Sequence, residues 1–157
     1  MVVTDLEEKH GELLGSIEAH GGQLRGTTIH SPYTEMLIDE IPVLAAIAPY
    51  TKDGIEIRDA RELRVKESDR IRSIAVNLRR MGAEVEEFDD GLDVPGGQSL
   101  HGAEIDSGGD HRIAMAFAIA SLRAGAPLEI LDVANVATSF PGFVGTARHA
   151  GLDIEET

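Results

Sequence analysis

The chain contains no cysteine and no tryptophan. The first absence excludes disulfides, thiolate metal sites and a cysteine nucleophile within these residues. Aromatic side chains make up only 4%, too few for the stacking platforms on which single-stranded nucleic acids are held. Cations are also scarce. Fourteen Lys and Arg stand against 28 Asp and Glu, a formal net charge of −14. A field of that sign repels DNA, RNA and anionic membranes, so any anion must be held by a few focused cations. No apolar run approaches the roughly 20 residues of a membrane span. The opening Met1-Val2-Val3-Thr4-Asp5-Leu6-Glu7-Glu8 is too acidic for a signal peptide. Together these absences point to a soluble, cytoplasmic protein. What is present is 157 residues, 42% hydrophobic and 27% charged, which suits one domain or a piece of a larger one.

An internal repeat organises the chain. Arg79-Arg80-Met81-Gly82-Ala83-Glu84-Val85-Glu86-Glu87 resembles Arg148-His149-Ala150-Gly151-Leu152-Asp153-Ile154-Glu155-Glu156. Each reads as a helix end, a glycine cap and an alternating strand. Asp53-Gly54-Ile55-Glu56-Ile57 likewise matches Ala124-Gly125-Ala126-Pro127-Leu128-Glu129-Ile130. The repeat length is about 70 residues. One copy predicts helices over 38–50 and 67–81, with strands near 55–59, 83–88 and 91–94. The next predicts strands near 103–106, 127–132 and 152–155, with helices over 110–124 and 139–150. Strand-like pieces at 16–19 and 23–29 read as the tail of a further copy. In the 67–81 helix, Val65, Ile71, Ile74, Ala75 and Leu78 share an apolar face, with Ser68, Asp69, Arg70, Arg72 and Arg79 off it. The stretch 113–122 is apolar nearly all round, the mark of a helix buried inside a fold.

Two helix starts gather the unusual charges. Arg64-Val65-Lys66-Glu67-Ser68-Asp69-Arg70 opens one, and Ser107-Gly108-Gly109-Asp110-His111-Arg112 the other. Free N–H groups and the helix dipole draw phosphates and carboxylates to such places. Lys66, Arg70, Arg112 and Arg64 would add discrete charge, and arginine can grip an anion with two parallel bonds. The plainer uses are an i,i+3 pair of Glu67 with Arg70, an N-cap role for Asp110 and for Asp39, and a structural His111. Asp39 and Asp110 are repeat mates, as are Glu67 and Thr138. Thr138-Ser139-Phe140-Pro141 reads as a further helix start. No phosphate-cradling Walker loop and no His pair at metal spacing occurs among the six scattered histidines.

The segments Arg64 to Arg70, Gly109-Asp110-His111-Arg112-Ile113-Ala114-Met115-Ala116, Leu37-Ile38-Asp39-Glu40-Ile41-Pro42 and Ala137-Thr138-Ser139-Phe140-Pro141 together resemble the 5-enolpyruvylshikimate-3-phosphate (EPSP) synthase family. The resemblance runs over essentially the whole chain. It implies an α/β fold of repeated βαβαββ units, an inverse α/β barrel with inner helices and outer mixed sheets. Family members have two such domains with the active site in the cleft between them. This chain would be the C-terminal domain portion, with units at roughly 1–31 (partial), 32–100 and 101–157 and the N-terminal domain absent. The implied reaction moves the enolpyruvyl group of phosphoenolpyruvate to the 5-hydroxyl of shikimate 3-phosphate and releases phosphate, on the route to chorismate and the aromatic amino acids. It needs two proton transfers and cations for two phosphates and a carboxylate, and no cofactor or metal. By motif position, Asp39 resembles the proton acceptor and shikimate-phosphate contact, Lys66 the shikimate-phosphate ligand, and Glu67 the acid/base group at the methylene. Arg70 and Arg112 resemble the arginines that hold phosphoenolpyruvate, and His111 lines that pocket.

Two positions depart from the usual pattern. Thr138 stands where many members carry Lys, and Glu62 where some carry Asn. An intact enzyme of this family is expected to be a monomer. The fragment is expected to be inactive alone and able to self-associate. Two other readings remain open: the sister enzyme acting on UDP-N-acetylglucosamine, and a non-catalytic anion-binding or interaction domain.

Overall fold

In the computed structural model, which describes residues 2–156, the strands form three separate sheets. β1 (Val2–Lys9) and β2 (Glu12–Glu18) form an exposed antiparallel hairpin. The second sheet has the order β3-β4-β6-β5, built from β3 (Thr27–Ile29), β4 (Ile55–Ile57), β5 (Glu86–Phe88) and β6 (Gly91–Val94). β3 runs parallel to β4, while β6 is antiparallel to both β4 and β5, so the sheet is mixed. β3 lies in the stretch read as the tail of a preceding copy, yet it opens this sheet. The third sheet pairs β7 (Glu104–Asp106) with β8 (Glu129–Leu131) in parallel.

Six helices connect these strands among the described residues. α1 (Tyr33–Met36) and α2 (Ile41–Ile47) join β3 to β4; α3 (Arg70–Arg80) joins β4 to β5. α4 (His111–Ala120) joins β7 to β8, and α5 (Ala134–Ser139) and α6 (Phe143–His149) follow. The order β3-α2-β4-α3-β5-β6 is one βαβαββ unit, and β7-α4-β8-α6 repeats its first four elements. The repeat is also written in the helix ends. Gly82 and Gly151 both take left-handed backbone, with φ of 91° and 97°. The next residue then bonds back to the helix, Ala83 N–H to the Leu78 carbonyl and Leu152 N–H to that of Ala147, both at 2.9 Å. Only glycine reaches that conformation without strain.

The core follows from the apolar pattern. Ile71, Ile74 and Leu78 of α3 join Ile41, Ile57, Leu92, Ile105, Ile113 and Phe117 in one buried cluster. α2 and α4 lie side by side, with Ala46, Ala116 and Ala120 buried between them. Small side chains let the two backbones approach closely. The expected burial holds for α4 itself, with Ile113, Ala114, Ala116, Phe117, Ala118 and Ala120 buried, but the expected 110–124 helix stops at Ala120, and Leu122, in the 3-10 turn that follows, is exposed. No helix among the described residues is long and apolar enough to cross a membrane.

Several boundaries differ from expectation. The 67–81 helix begins only at Arg70, because the Asp69 carboxylate accepts from the Arg72 N–H at 3.0 Å and caps it there. Residues Arg61–Val65 form a tighter 3-10 turn before it. Val65 is thus not on the apolar face but 80% exposed. The 38–50 helix is confined to α2 and a 3-10 turn at Ala48–Tyr50. The expected 139–150 helix is α6 alone, starting only at Phe143; an unexpected short helix, α5, ends at Ser139, and Phe140-Pro141 separates the two, because a residue before proline is pushed out of helical geometry. Thr138 consequently ends one helix and does not start another. The strand expected near 152–155 is absent among the described residues, where no partner strand lies beside that segment.

Candidate functional site

The start of α3 and the start of α4 meet. Asp110 caps α4, its Oδ1 accepting from the Arg112 N–H at 2.9 Å. Its carboxylate, 0% exposed, also faces the Arg70 guanidinium, which is 1% exposed. Arg70 Nε donates to Asp110 Oδ2 at 2.8 Å and Nη2 to Oδ1 at 3.3 Å. Ser68 Oγ donates to the same Oδ2 at 3.1 Å. Burial by itself would push the Asp110 carboxyl up. The hydrogen bonds and charge of Arg70, the Arg112 amide and the Ser68 hydroxyl outweigh it and hold the carboxyl below its ordinary value. Burial likewise works against the Arg70 charge, and Asp110, Glu67 and Asp39 more than offset it.

The other side of Arg70 meets two carboxylates that reach solvent. Nη1 donates to Asp39 Oδ1 at 3.2 Å, and Nη2 pairs with Glu67. Asp39 and Glu67 side chains are 44% and 50% exposed. Asp39 lies in the segment before α2 and also binds Arg112. Arg112 Nη2 is 3.0 Å from Asp39 Oδ2, and Nη1 donates to the Asp39 carbonyl at 2.8 Å. Asp39 is therefore a bridge between the two arginines and not an N-cap; α2 has no side-chain cap.

Four of the six candidate residues thus come together: Asp39, Glu67, Arg70 and Arg112. Lys66, half-buried at the end of the 3-10 turn, pairs instead with Glu62. His111 is the first residue of α4 and half-buried. The expected placement of Arg70 off the buried face fails. It is among the largest fully buried side chains, made tolerable by three carboxylates. The i,i+3 pairing of Glu67 with Arg70 is present, but as part of this network. Arg64 takes no part: it binds Asp69, Glu87 and the Phe88 carbonyl, an anchor between the 3-10 turn and β5. Local sequence marks Asp110 as a cap, and its grip on Arg70 is the part that the local pattern does not show. Its equivalence to Asp39 in the repeat was the signal of a second use.

The cluster is an open wall and not a closed cavity. Its outer carboxylates, Asp39 and Glu67, are open to solvent. Two arginines and three carboxylates at the starts of repeated helices can bind an anion by exchanging an exposed carboxylate for it, and can move protons through Asp39 and Glu67.

Such a wall, carried on βαβαββ units with inner helices, defines the chain as a domain of the enolpyruvyl-transferase type. A family model described as EPSP synthase (3-phosphoshikimate 1-carboxyvinyltransferase) matches residues 13–146, and the chain belongs to that family. It is 60% identical over 141 residues to the 3-phosphoshikimate 1-carboxyvinyltransferase of Koribacter versatilis, covering 90% of this chain and 33% of the relative. The corresponding protein of Solibacter usitatus is 48% identical over 144 residues, covering 92% and 34%. A solved EPSP synthase from Acinetobacter baumannii superposes with a TM-score of 0.92 at 37% identity, over 98% of this chain and 36% of that one. The chain spans about a third of the length of the curated relatives it matches.

Proposed function

We propose that this chain supplies one wall of an EPSP synthase active site, and that the wall holds phosphoenolpyruvate against shikimate 3-phosphate. The observation that carries the reading is the convergence of Arg70 and Arg112 on Asp39, from two repeat units, with Glu67 on the same guanidinium. In this reading Arg70 and Arg112 hold the phosphate or carboxylate of phosphoenolpyruvate, with His111 beside them. Lys66 leaves Glu62 to meet the shikimate phosphate. Asp39 accepts the proton of the attacking 5-hydroxyl, and Glu67 exchanges a proton with the methylene carbon. Both carboxylates neutralise the arginines until substrate arrives. Cleft enzymes gain rate by fixing two reactants between two walls. An N-terminal domain of the same family is the partner that completes the site, and the site is that of a cytoplasmic, cofactor-free enzyme, monomeric when whole.

The test is a graft. The chain replaces the matching third of the Koribacter versatilis relative, and turnover is measured with phosphoenolpyruvate and either shikimate 3-phosphate or UDP-N-acetylglucosamine. Turnover with the first acceptor supports the proposal. Turnover only with the second, or none in a folded graft, overturns it. The 157-residue chain alone should show none with either.

A further inference from the structure

A helix cap needs one acceptor, but Asp110 takes four donors. Oδ2 accepts from Arg70 Nε at 2.8 Å and Ser68 Oγ at 3.1 Å; Oδ1 accepts from the Arg112 N–H at 2.9 Å and Arg70 Nη2 at 3.3 Å. The donors come from two repeat units, so one carboxylate ties the start of α3 to the start of α4. The pairing is also directional. Asp110 occupies the Nε–Nη2 edge of the guanidinium and is fully buried, whereas Nη1 and the rest of Nη2 face the half-exposed Asp39 and Glu67. A guanidinium is a rigid planar fork, so fixing one edge fixes where the other points. Asp39 and Glu67 can swing into water when an anion takes their place. Asp110 cannot.

We infer that Asp110 is a positioning residue: it holds Arg70 by its inner edge so that the outer edge is presented, in register with Arg112, to the incoming anion. The inference rests on the proposed role of Arg70 and Arg112 toward phosphoenolpyruvate. It adds to that role a residue that never touches substrate.

Asp110→Asn and Asp110→Ser separate positioning from capping, because Asn and Ser are both good N-caps. Neither offers two charged oxygens to the arginine fork, and the amide nitrogen of Asn meets donors on one side. In the grafted enzyme, Asp110→Asn should raise KM for phosphoenolpyruvate about 10- to 100-fold, the loss expected for charge-assisted bonds. kcat and KM for shikimate 3-phosphate should change by less than about threefold if the reacting carboxylates are untouched. In the 157-residue chain, the Nε–H resonance of Arg70 should be resolved in a ¹⁵N spectrum and shift on titration with inorganic phosphate. It should be lost in both Asp110 variants and kept in Asp39→Asn.

Unchanged KM together with an unchanged Arg70 Nε–H resonance in Asp110→Asn overturns the inference, since a cap alone would behave so. If the Asp110 variants do not fold, Ser68→Ala, which removes one of the four donors, should still raise the phosphoenolpyruvate KM about threefold. No rise there overturns it as well. A graft inactive toward shikimate 3-phosphate defeats the functional reading, while the Arg70 resonance still decides whether Asp110 sets the guanidinium.

Discussion

Arg70→Met gives the most direct test of how the two helix starts are held together. The arginine is 1% exposed and meets three carboxylates of unequal standing. Without it, Asp39 and Glu67 turn to water at little cost, because they are already about half exposed. Asp110 stays where it is, fully buried and charged. Breaking a buried pair by removing one partner costs about 3–5 kcal/mol. Asp110 keeps the Ser68 hydroxyl and the Arg112 amide, which places the cost near the lower end, about 3 kcal/mol. With a urea dependence of about 2 kcal/mol per molar, the midpoint should fall by about 1.5 M at pH 7. Adding Asp110→Asn to Arg70→Met removes the stranded charge, so the double variant should be no less stable than Arg70→Met alone. The pH dependence has a definite sign. The folded-state Asp110 carboxyl lies below its ordinary value, so its stabilisation is complete above the unfolded value of about 3.9 and is lost as pH falls through the folded one. The gap between wild type and Arg70→Met should therefore narrow on acidification from pH 7. Urea unfolding of the purified chain at pH 7 and pH 3.5 measures all of this. A loss below about 1 kcal/mol for Arg70→Met, the range of exposed pairs, or a double variant that loses the sum of both singles, would refute the buried-network reasoning.

Other outcomes follow from the same geometry. In the grafted enzyme, Arg112→Ala should raise the phosphoenolpyruvate requirement by about 2–3 kcal/mol, the order of a charge-assisted hydrogen bond; steady-state KM reads it. Asp39→Asn should lower kcat about 10²- to 10⁴-fold as a lost proton acceptor, with substrate binding in equilibrium titrations largely spared. Glu62→Gln should release Lys66 from its pair and lower KM for shikimate 3-phosphate, by no more than about fivefold, since exposed i,i+4 pairs are weak. Phe117→Ala, at a fully buried position between the repeats, should cost about 3–5 kcal/mol in urea unfolding.

How much of this was legible differs by element. α4 was plain because apolar side chains all round leave a helix nowhere to sit but inside. The glycines at 82 and 151 marked helix ends because their left-handed backbone is nearly exclusive to glycine. The hairpin strand Val2–Lys9 carries Asp5, Glu7 and Glu8 among its apolar residues, and acidic side chains weaken a strand pattern read locally. β3 could be seen as a strand, but not which sheet would take it, since a three-residue parallel pairing with β4 is decided by the helices between them. Pro141 lies between α5 and α6 and not in a first turn; proline suits a helix start and a helix break alike, so the local sequence does not choose between them.

The site shows where local reading stops. Motif position brought Asp39, Glu67, Arg70 and Arg112 to one place, and the structure joins them. The inner edge of that cluster was not legible, because the burial of Arg70 depends on a carboxylate 40 positions away. Read along α3 alone, an arginine at the helix start belongs on the solvent side. Asp39 and Asp110 match in the sequence repeat, but Asp110 caps α4 while Asp39 stands one residue before Glu40, the cap position of α2; from these places they grip the same guanidinium from different sides. One is buried and holds the fork still, while the other is half exposed and free to yield. In the proposed role an incoming anion must displace Asp39 or Glu67 from the arginines and do so against a net charge of −14.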